Sequence, residues 1–111
     1  MAEVEQLPEA IRNFVDGTNE EDRARFLSAF AADGYLNDWG REFSGHEAVA
    51  RWNETDNIGR QARFTVRGLV RGERPDSYRL RLTVGGNGYN GPGDFEIELD
   101  DAGLISRLII G

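Results

Sequence analysis

Cysteine is absent from this chain. That removes disulfides, thiol nucleophiles and zinc–thiolate sites together, and it fits a reducing compartment. Positive charge is also scarce: 13 basic residues stand against 20 acidic ones, for a formal net charge of -7. Nucleic acid and anionic membrane surfaces both select a basic face, so neither is an expected partner. The plain consequence of such acidity is solubility. No apolar run nears the ~18 residues that a membrane-spanning helix needs. The opening MAEVEQLPEA is acidic and lacks the basic start and apolar stretch of a signal peptide, so a cytoplasmic location is expected. Histidine occurs once, at His46, and no clustered ligand spacing accompanies it, so no metal site is expected. No serine sits in a G-x-S-x-G elbow. The glycine-rich GGNGYNGPG lacks the lysine and following helix of a phosphate loop. Nothing provides for nicotinamide, flavin or ATP, and no cofactor is expected.

What is present suits one domain spanning 1–111, with 39% hydrophobic and 30% charged residues. A chain of this size buries somewhat over ~60% of its unfolded surface, enough for one core. Leu7, Ile11, Phe14 and Val15 recur at helical spacing, and Pro8 suits the first turn. Gly17 reads as a stop, and Thr18-Asn19-Glu20-Glu21 as a capping box for a second helix that buries Phe26, Leu27 and Phe30. Tyr35 to Trp39 alternates as a short strand, Gly40 turns the chain, and Arg41-Glu42-Phe43 returns. Ser44-Gly45-His46-Glu47 reads as a second capping box, opening a helix with Ala48, Val49 and Trp52 on one stripe. Asn53 to Gly59 reads as a polar loop.

From Ala62 the period changes to two. Ala62, Phe64 and Val66 alternate with arginines and a threonine, and the apolar parity shifts at Leu69, which predicts a bulge or bend at Gly68. Tyr78, Leu80, Leu82 and Val84 form a second alternating run. Phe95, Ile97 and Leu99 form a third, and Leu104 to Ile110 a last strand after the Asp101-Ala102-Gly103 turn. The stretch Gly85 to Gly93, with five glycines and one proline, is a mobile or tightly turned connection. Long strands joined by short turns pair as a meander, and the helices must cover its apolar face. The expected fold is therefore α+β: a curved antiparallel sheet wrapped around about three helices, with a pocket between them. Arg63, Arg67, Arg79 and Arg81 share the outer face with Glu96 and Glu98. That face is either a solvated charge ladder or the contact of a sheet-to-sheet homodimer.

The segment Phe26-Leu27-Ser28-Ala29-Phe30-Ala31-Ala32-Asp33-Gly34-Tyr35, then Asn37-Asp38-Trp39, then Phe43-Ser44-Gly45-His46-Glu47-Ala48-Val49, resembles a known superfamily. It is similar to the cone-shaped NTF2-like proteins, which include ketosteroid isomerases and SnoaL-like polyketide cyclases. The resemblance runs over nearly the whole chain. It implies a pocket for a small apolar molecule and, in the catalytic members, proton transfer by a carboxylate on the short strand after the second helix. That position falls on Asp38. The oxyanion-holding tyrosine of the first helix falls on Phe14, which cannot donate a hydrogen bond. The late-strand acidic donor falls near Asp94-Phe95, where alternation points Phe95 inward. The resemblance thus implies a base without its isomerase partners, and loss of one such donor alone costs ~10²–10³ in rate.

Asp38 is the candidate catalytic residue, with solvent exposure or capping of the Gly40 turn as the alternative. Phe14, Trp39, Trp52, Phe64, Tyr78 and Phe95 are the candidate ligand-binding residues. Each is equally able to be core, and Trp39 has the opposite strand parity to Asp38. His46 and Tyr89 are weaker candidates, the first as a surface imidazole and the second as part of a glycine-rich flap. The chemistry expected is cofactor-free proton transfer on an apolar ligand. The alternative is a non-catalytic binding or dimerising module.

Overall fold

The computed structural model describes residues 6–111; the first five residues of the acidic opening lie outside it. Helix α1, Glu9–Asn19, begins directly after Pro8, whose extended backbone and missing N–H suit the residue just before a helix. It buries Ala10, Ile11, Phe14 and Val15 on one stripe. Gly17 does not end it. A β-carbon there would lie 2.7 Å from the Phe26 backbone nitrogen, so the glycine lets α2, Arg23–Ser28, cross close by. Thr18 likewise does not cap α2: its hydroxyl donates back to the Phe14 carbonyl at 2.8 Å. The cap is Asp22, whose carboxylate accepts from the Arg25 amide at 3.0 Å.

Strand β1, Phe30–Asp38, is longer than the alternation of Tyr35 to Trp39 predicts, and Phe30 belongs to it rather than to α2. Its first half escapes the alternation because the register against its neighbour shifts between Phe30 and Tyr35. A two-residue turn leads into β2, Arg41–Ser44. Helix α3, His46–Asp56, starts at Gly45 with no side-chain cap, so the Ser44 capping box does not form. It continues through Asn53 to Asp56, and a short 3₁₀ helix, Ile58–Arg60, follows. The polar loop expected from Asn53 to Gly59 is therefore helical, because Asn53 and Asn57 are buried and hydrogen-bonded to each other. Asn57 Nδ2 donates to Thr18 Oγ1 at 2.9 Å and to Asn53 Oδ1 at 3.0 Å.

Strands β3 (Arg63–Arg71), β4 (Ser77–Gly85), β5 (Gly91–Leu99) and β6 (Ile105–Ile110) form the expected meander, with the register shift between Val66 and Gly68 that the parity change predicts. The sheet order is β2-β1-β6-β5-β4-β3. One contact breaks the antiparallel pattern: β1 runs parallel to β6. The sheet is curved and unclosed, and the helices lie in its hollow. On the outer face Arg79 sits opposite Glu96 and pairs with both Glu96 (3.1 Å) and Asp94 (3.2 Å). Arg74 pairs with Glu98 at 2.6 Å. Glu96 and Glu98 of the ladder are thus paired within one chain, while Arg67 and Arg81 have no ion pair among the described residues. Among the described residues no helix is long and apolar enough to cross a membrane.

The narrow end of the hollow is filled by rings. Phe14 is fully buried, with ring centroids 5.8 Å from Phe26, 6.0 Å from Phe30, 5.4 Å from Phe64 and 6.1 Å from Phe95. At the opposite side of that packing Asn19 mimics a strand partner: it accepts from the Phe64 amide at 2.7 Å and donates to its carbonyl at 2.9 Å. This ties the end of α1 to the edge strand β3, whose free backbone groups would otherwise be exposed.

Candidate functional site

A cavity of about 1010 Å³ opens between the helices and the sheet, lined by β1, α3, the 3₁₀ turn, β3, β4, β5 and the end of β6. It is large enough for a drug-sized ligand. Trp52, Ala62, Phe64, Leu82, Val84, Phe95 and Ile110 contribute its apolar wall. Trp39 and Tyr89 are both exposed and stand on its rim.

Asp38, the last residue of β1, reaches the wall where α3 crosses the hairpin. Its Oδ2 accepts from Trp52 Nε1 at 2.9 Å and from Arg41 at 2.6 Å. Arg41 also donates to Asp56 at 2.9 Å, so one guanidinium bridges two carboxylates. Those bonds to Asp56 raise the Arg41 guanidinium above its ordinary range. Burial works against ionisation of Asp56, yet hydrogen bonds from Arg41 and from Thr55 (2.6 Å) outweigh it and hold its carboxyl below the usual range. Of the three lining carboxylates, Asp38 is the most enclosed: its side chain is 13% exposed, against 25% for Asp56 and 48% for Asp94. Among the described residues Asp38 Oδ1 has no hydrogen-bond partner. A carboxylate oxygen free of protein donors in an apolar wall can accept a proton or a ligand's hydrogen bond.

Trp39 joins Asp38 at this cavity despite its opposite parity, and the turn explains it. Asp38 pairs with Arg41 across a two-residue loop in which Trp39 and Gly40 both take positive φ, 53° and 92°. That is the type I′ geometry of tight hairpins. It swings the indole out of the strand's alternation and leaves it 75% exposed. The loop is held by the Asn37 side chain, which accepts from the Gly40 amide at 2.8 Å.

Asp38, Trp39, Trp52, Phe64 and Phe95 therefore meet at one cavity. Phe14 and Tyr78, expected on the inner wall, do not line it. Phe14 is enclosed by rings. Tyr78 lies toward the other end of β4, its phenol accepting from Arg71 at 3.4 Å and its ring under the same guanidinium. His46 Nε2 sits 2.8 Å from the Phe30 carbonyl and clamps the start of α3 to β1, away from the cavity. Tyr89 does reach the rim, with its hydroxyl donated to the Pro92 carbonyl at 2.7 Å. Sequence reading missed Arg41, Asp56, Asn57 and Arg60, which also line the cavity, and Arg67 and Arg81, expected on the outer face, border it too. A signal existed for two of them: Asp56 and Asn57 continue the one-turn spacing of Trp52 and Asn53.

Solved structures place this geometry. A candidate polyketide cyclase from Sinorhizobium meliloti superposes with a TM-score of 0.84 at 22% identity, covering 95% of each chain. The fold is the NTF2-like, ketosteroid isomerase-like cone. A Delta 5-3-ketosteroid isomerase from Mycobacterium sp. matches with a TM-score of 0.77 at 24% identity, over 92% of this chain and 88% of that one. RV0760c from Mycobacterium tuberculosis, in complex with estradiol-17beta-hemisuccinate, matches with a TM-score of 0.80 at 21% identity, over 95% and 93%. No family model matches the chain, and no curated protein matches it by sequence. Within this cone, Phe14 has no polar atom, Phe95 is buried, and the Asp94 carboxylate accepts from Arg79.

Proposed function

We propose that this domain binds a small apolar molecule in its cone, and that Asp38 moves a proton on that ligand without a cofactor. The observation that carries the reading is the cavity itself: about 1010 Å³, with aromatic and aliphatic side chains in its wall and, among its lining residues, the enclosed Asp38, one of whose carboxylate oxygens has no protein donor among the described residues. Ligands named for structural neighbours, a steroid hemisuccinate among them, are of a size and apolarity that suit such a space. Steroid isomerisation by a tyrosine and a protonated aspartate is not part of the proposal, since neither donor is in place.

Binding and chemistry are tested separately. A saturable calorimetric titration with a compact bicyclic ligand, 2-naphthol or 2-methoxynaphthalene, supports the pocket, and failure of both to bind up to the solubility limit refutes it. Solvent deuterium exchange of the acidic hydrogens beside the ketone of 2-tetralone, followed by NMR, reads proton transfer. The wild-type protein is expected to exceed the buffer rate, and Asp38→Asn to fall to it while keeping its thermal stability. Equal exchange in that variant discards Asp38 as the base.

A further inference from the structure

We infer that the buried end of the ligand is a hydrogen-bond donor, an alcohol or phenol, read by Asn57 Oδ1 and Asp38 Oδ1. The inference deepens the pocket reading above and rests on it.

Asn57 lines the cavity yet is only 2% exposed. Its orientation is fixed by its neighbours. Thr18 commits its hydroxyl hydrogen to the Phe14 carbonyl at 2.8 Å, so toward Asn57 it can only accept. Asn53 Oδ1 also accepts, from Asn57 Nδ2 and from the Ile58 amide at 3.3 Å. Both hydrogens of the Asn57 amide are therefore spent on two acceptors, and exchanging its oxygen and nitrogen would set acceptor against acceptor. The oxygen that remains has no donor among the described residues. No fully enclosed side-chain polar atom among them lacks a partner, so this oxygen keeps a small accessible face. The cavity is the space that Asn57 borders.

Asp38 presents the same valence. Trp52 and Arg41 hold its Oδ2, and Oδ1 is left. Three donors of the lining are already committed: the Trp52 N–H on Asp38, Arg41 on Asp38 and Asp56, and the Tyr89 hydroxyl on Pro92. The α3 side of the pocket thus carries two acceptors, Asn57 Oδ1 and Asp38 Oδ1, that no protein donor among the described residues fills, while the uncommitted donors of the lining include guanidinium N–H groups of Arg60, Arg67 and Arg81. A ketone or ether oxygen brought against the two acceptors would leave acceptors facing acceptors, whereas a hydroxyl supplies what they lack.

The probes are 2-naphthol and 2-methoxynaphthalene, which share a ring system and differ in the donor. Isothermal titration of the wild-type protein is expected to show 2-naphthol binding about tenfold tighter, equivalent to 1.4 kcal/mol. Asn57→Ala is expected to shrink that ratio to about threefold or less. Asp38→Asn gives an independent check that leaves the Asn57 network intact. Trp52 and Arg41 keep an oxygen at the Oδ2 place, so the free Oδ1 becomes an NH₂ donor and the preference for naphthol falls. Equal binding of the two probes by the wild type, or an undiminished ratio in Asp38→Asn, overturns the inference while leaving the pocket reading standing. Failure of both probes to bind overturns the pocket reading and this inference with it.

Discussion

Replacing Phe14 separates its role in holding the fold from any role in the pocket. The side chain is fully buried and touches four other rings, with centroids between 5.4 and 6.1 Å. Truncating a buried phenylalanine to alanine removes apolar contact and leaves a cavity, at about 3–5 kcal/mol. Aromatic pairs add roughly 0.5–1.5 kcal/mol each beyond area burial. Phe14→Ala therefore belongs at the upper end, about 4–5 kcal/mol. A domain of this length has a total stability of roughly 6–16 kcal/mol at 0.05–0.15 per residue, so the variant sits near the edge of folding. Phe14→Leu keeps much of the volume and is expected to cost about 1–2 kcal/mol. Urea unfolding followed by tryptophan fluorescence measures both. With a denaturant dependence of roughly 1.5 kcal/mol per molar, the alanine variant shifts its midpoint by about 3 M. Because Phe14 is not in the cavity wall, Phe14→Leu should bind a pocket probe within about twofold of wild type. A loss under about 2 kcal/mol in Phe14→Ala, or a large affinity change in the leucine variant at small stability cost, would refute the placement of Phe14 as packing.

The remaining expectations follow from single contacts. Gly17→Ala usually helps a helix by about 0.5–1 kcal/mol, but here the new carbon meets Phe26 backbone atoms at 2.7 and 2.9 Å. It is therefore expected to lower Tm by about 5–15 °C, and an unchanged or raised Tm in a thermal melt contradicts the close helix crossing. The Asp56 carboxyl is held below its ordinary range, so its stabilising contribution is complete above the unfolded value of about 3.9 and is lost as pH falls through the lower folded value. The stability gap between wild type and Arg41→Met should be widest at pH 5–7 and close below about pH 4; a gap independent of pH in thermal melts sinks that account. Trp39 combines a left-handed backbone with an exposed indole on the cavity rim. Trp39→Asn suits that backbone better, so Tm is expected to hold or rise while probe affinity falls by severalfold; loss of stability with affinity intact would show the indole to be structural.

The sheet was legible because its signal is local. Alternation of Phe64, Tyr78 to Val84 and Phe95 to Leu99 names an inner face residue by residue, and the parity change beside Gly68 marks the bulge before any partner is known. Helix ends were less legible because their deciding contacts are distant. Gly17 looks like a stop until α2 is laid across it, and Thr18 looks like a cap until Asn57, 39 residues away, takes its oxygen. The segment from Asn53 onward reads as loop because asparagines usually leave helices, and only their bond to each other and to the Ile58 amide keeps these two buried. The parallel pairing of β1 with β6 joins the early and late parts of the chain and leaves no local trace.

The site divides along the same line. Residue type and parity single out Asp38 and the aromatic wall, since an apolar face and an ionisable side chain are both visible in the sequence. What the pocket can recognise depends on something else: which hydrogen-bonding capacities are already used. Trp52 could have donated to a ligand, but it is bonded to Asp38. Arg41 could have held an anion, but it bridges Asp38 and Asp56. Asn57 could have offered either end of its amide, but Thr18 and Asn53 take both hydrogens. Each of these pairings commits a donor, and at Asp38 and Asn57 one acceptor oxygen is left over. The polarity that remains beside α3 is therefore set by the structure's internal bonds rather than by its composition, and an isomerase's oxyanion would have required donors at that place.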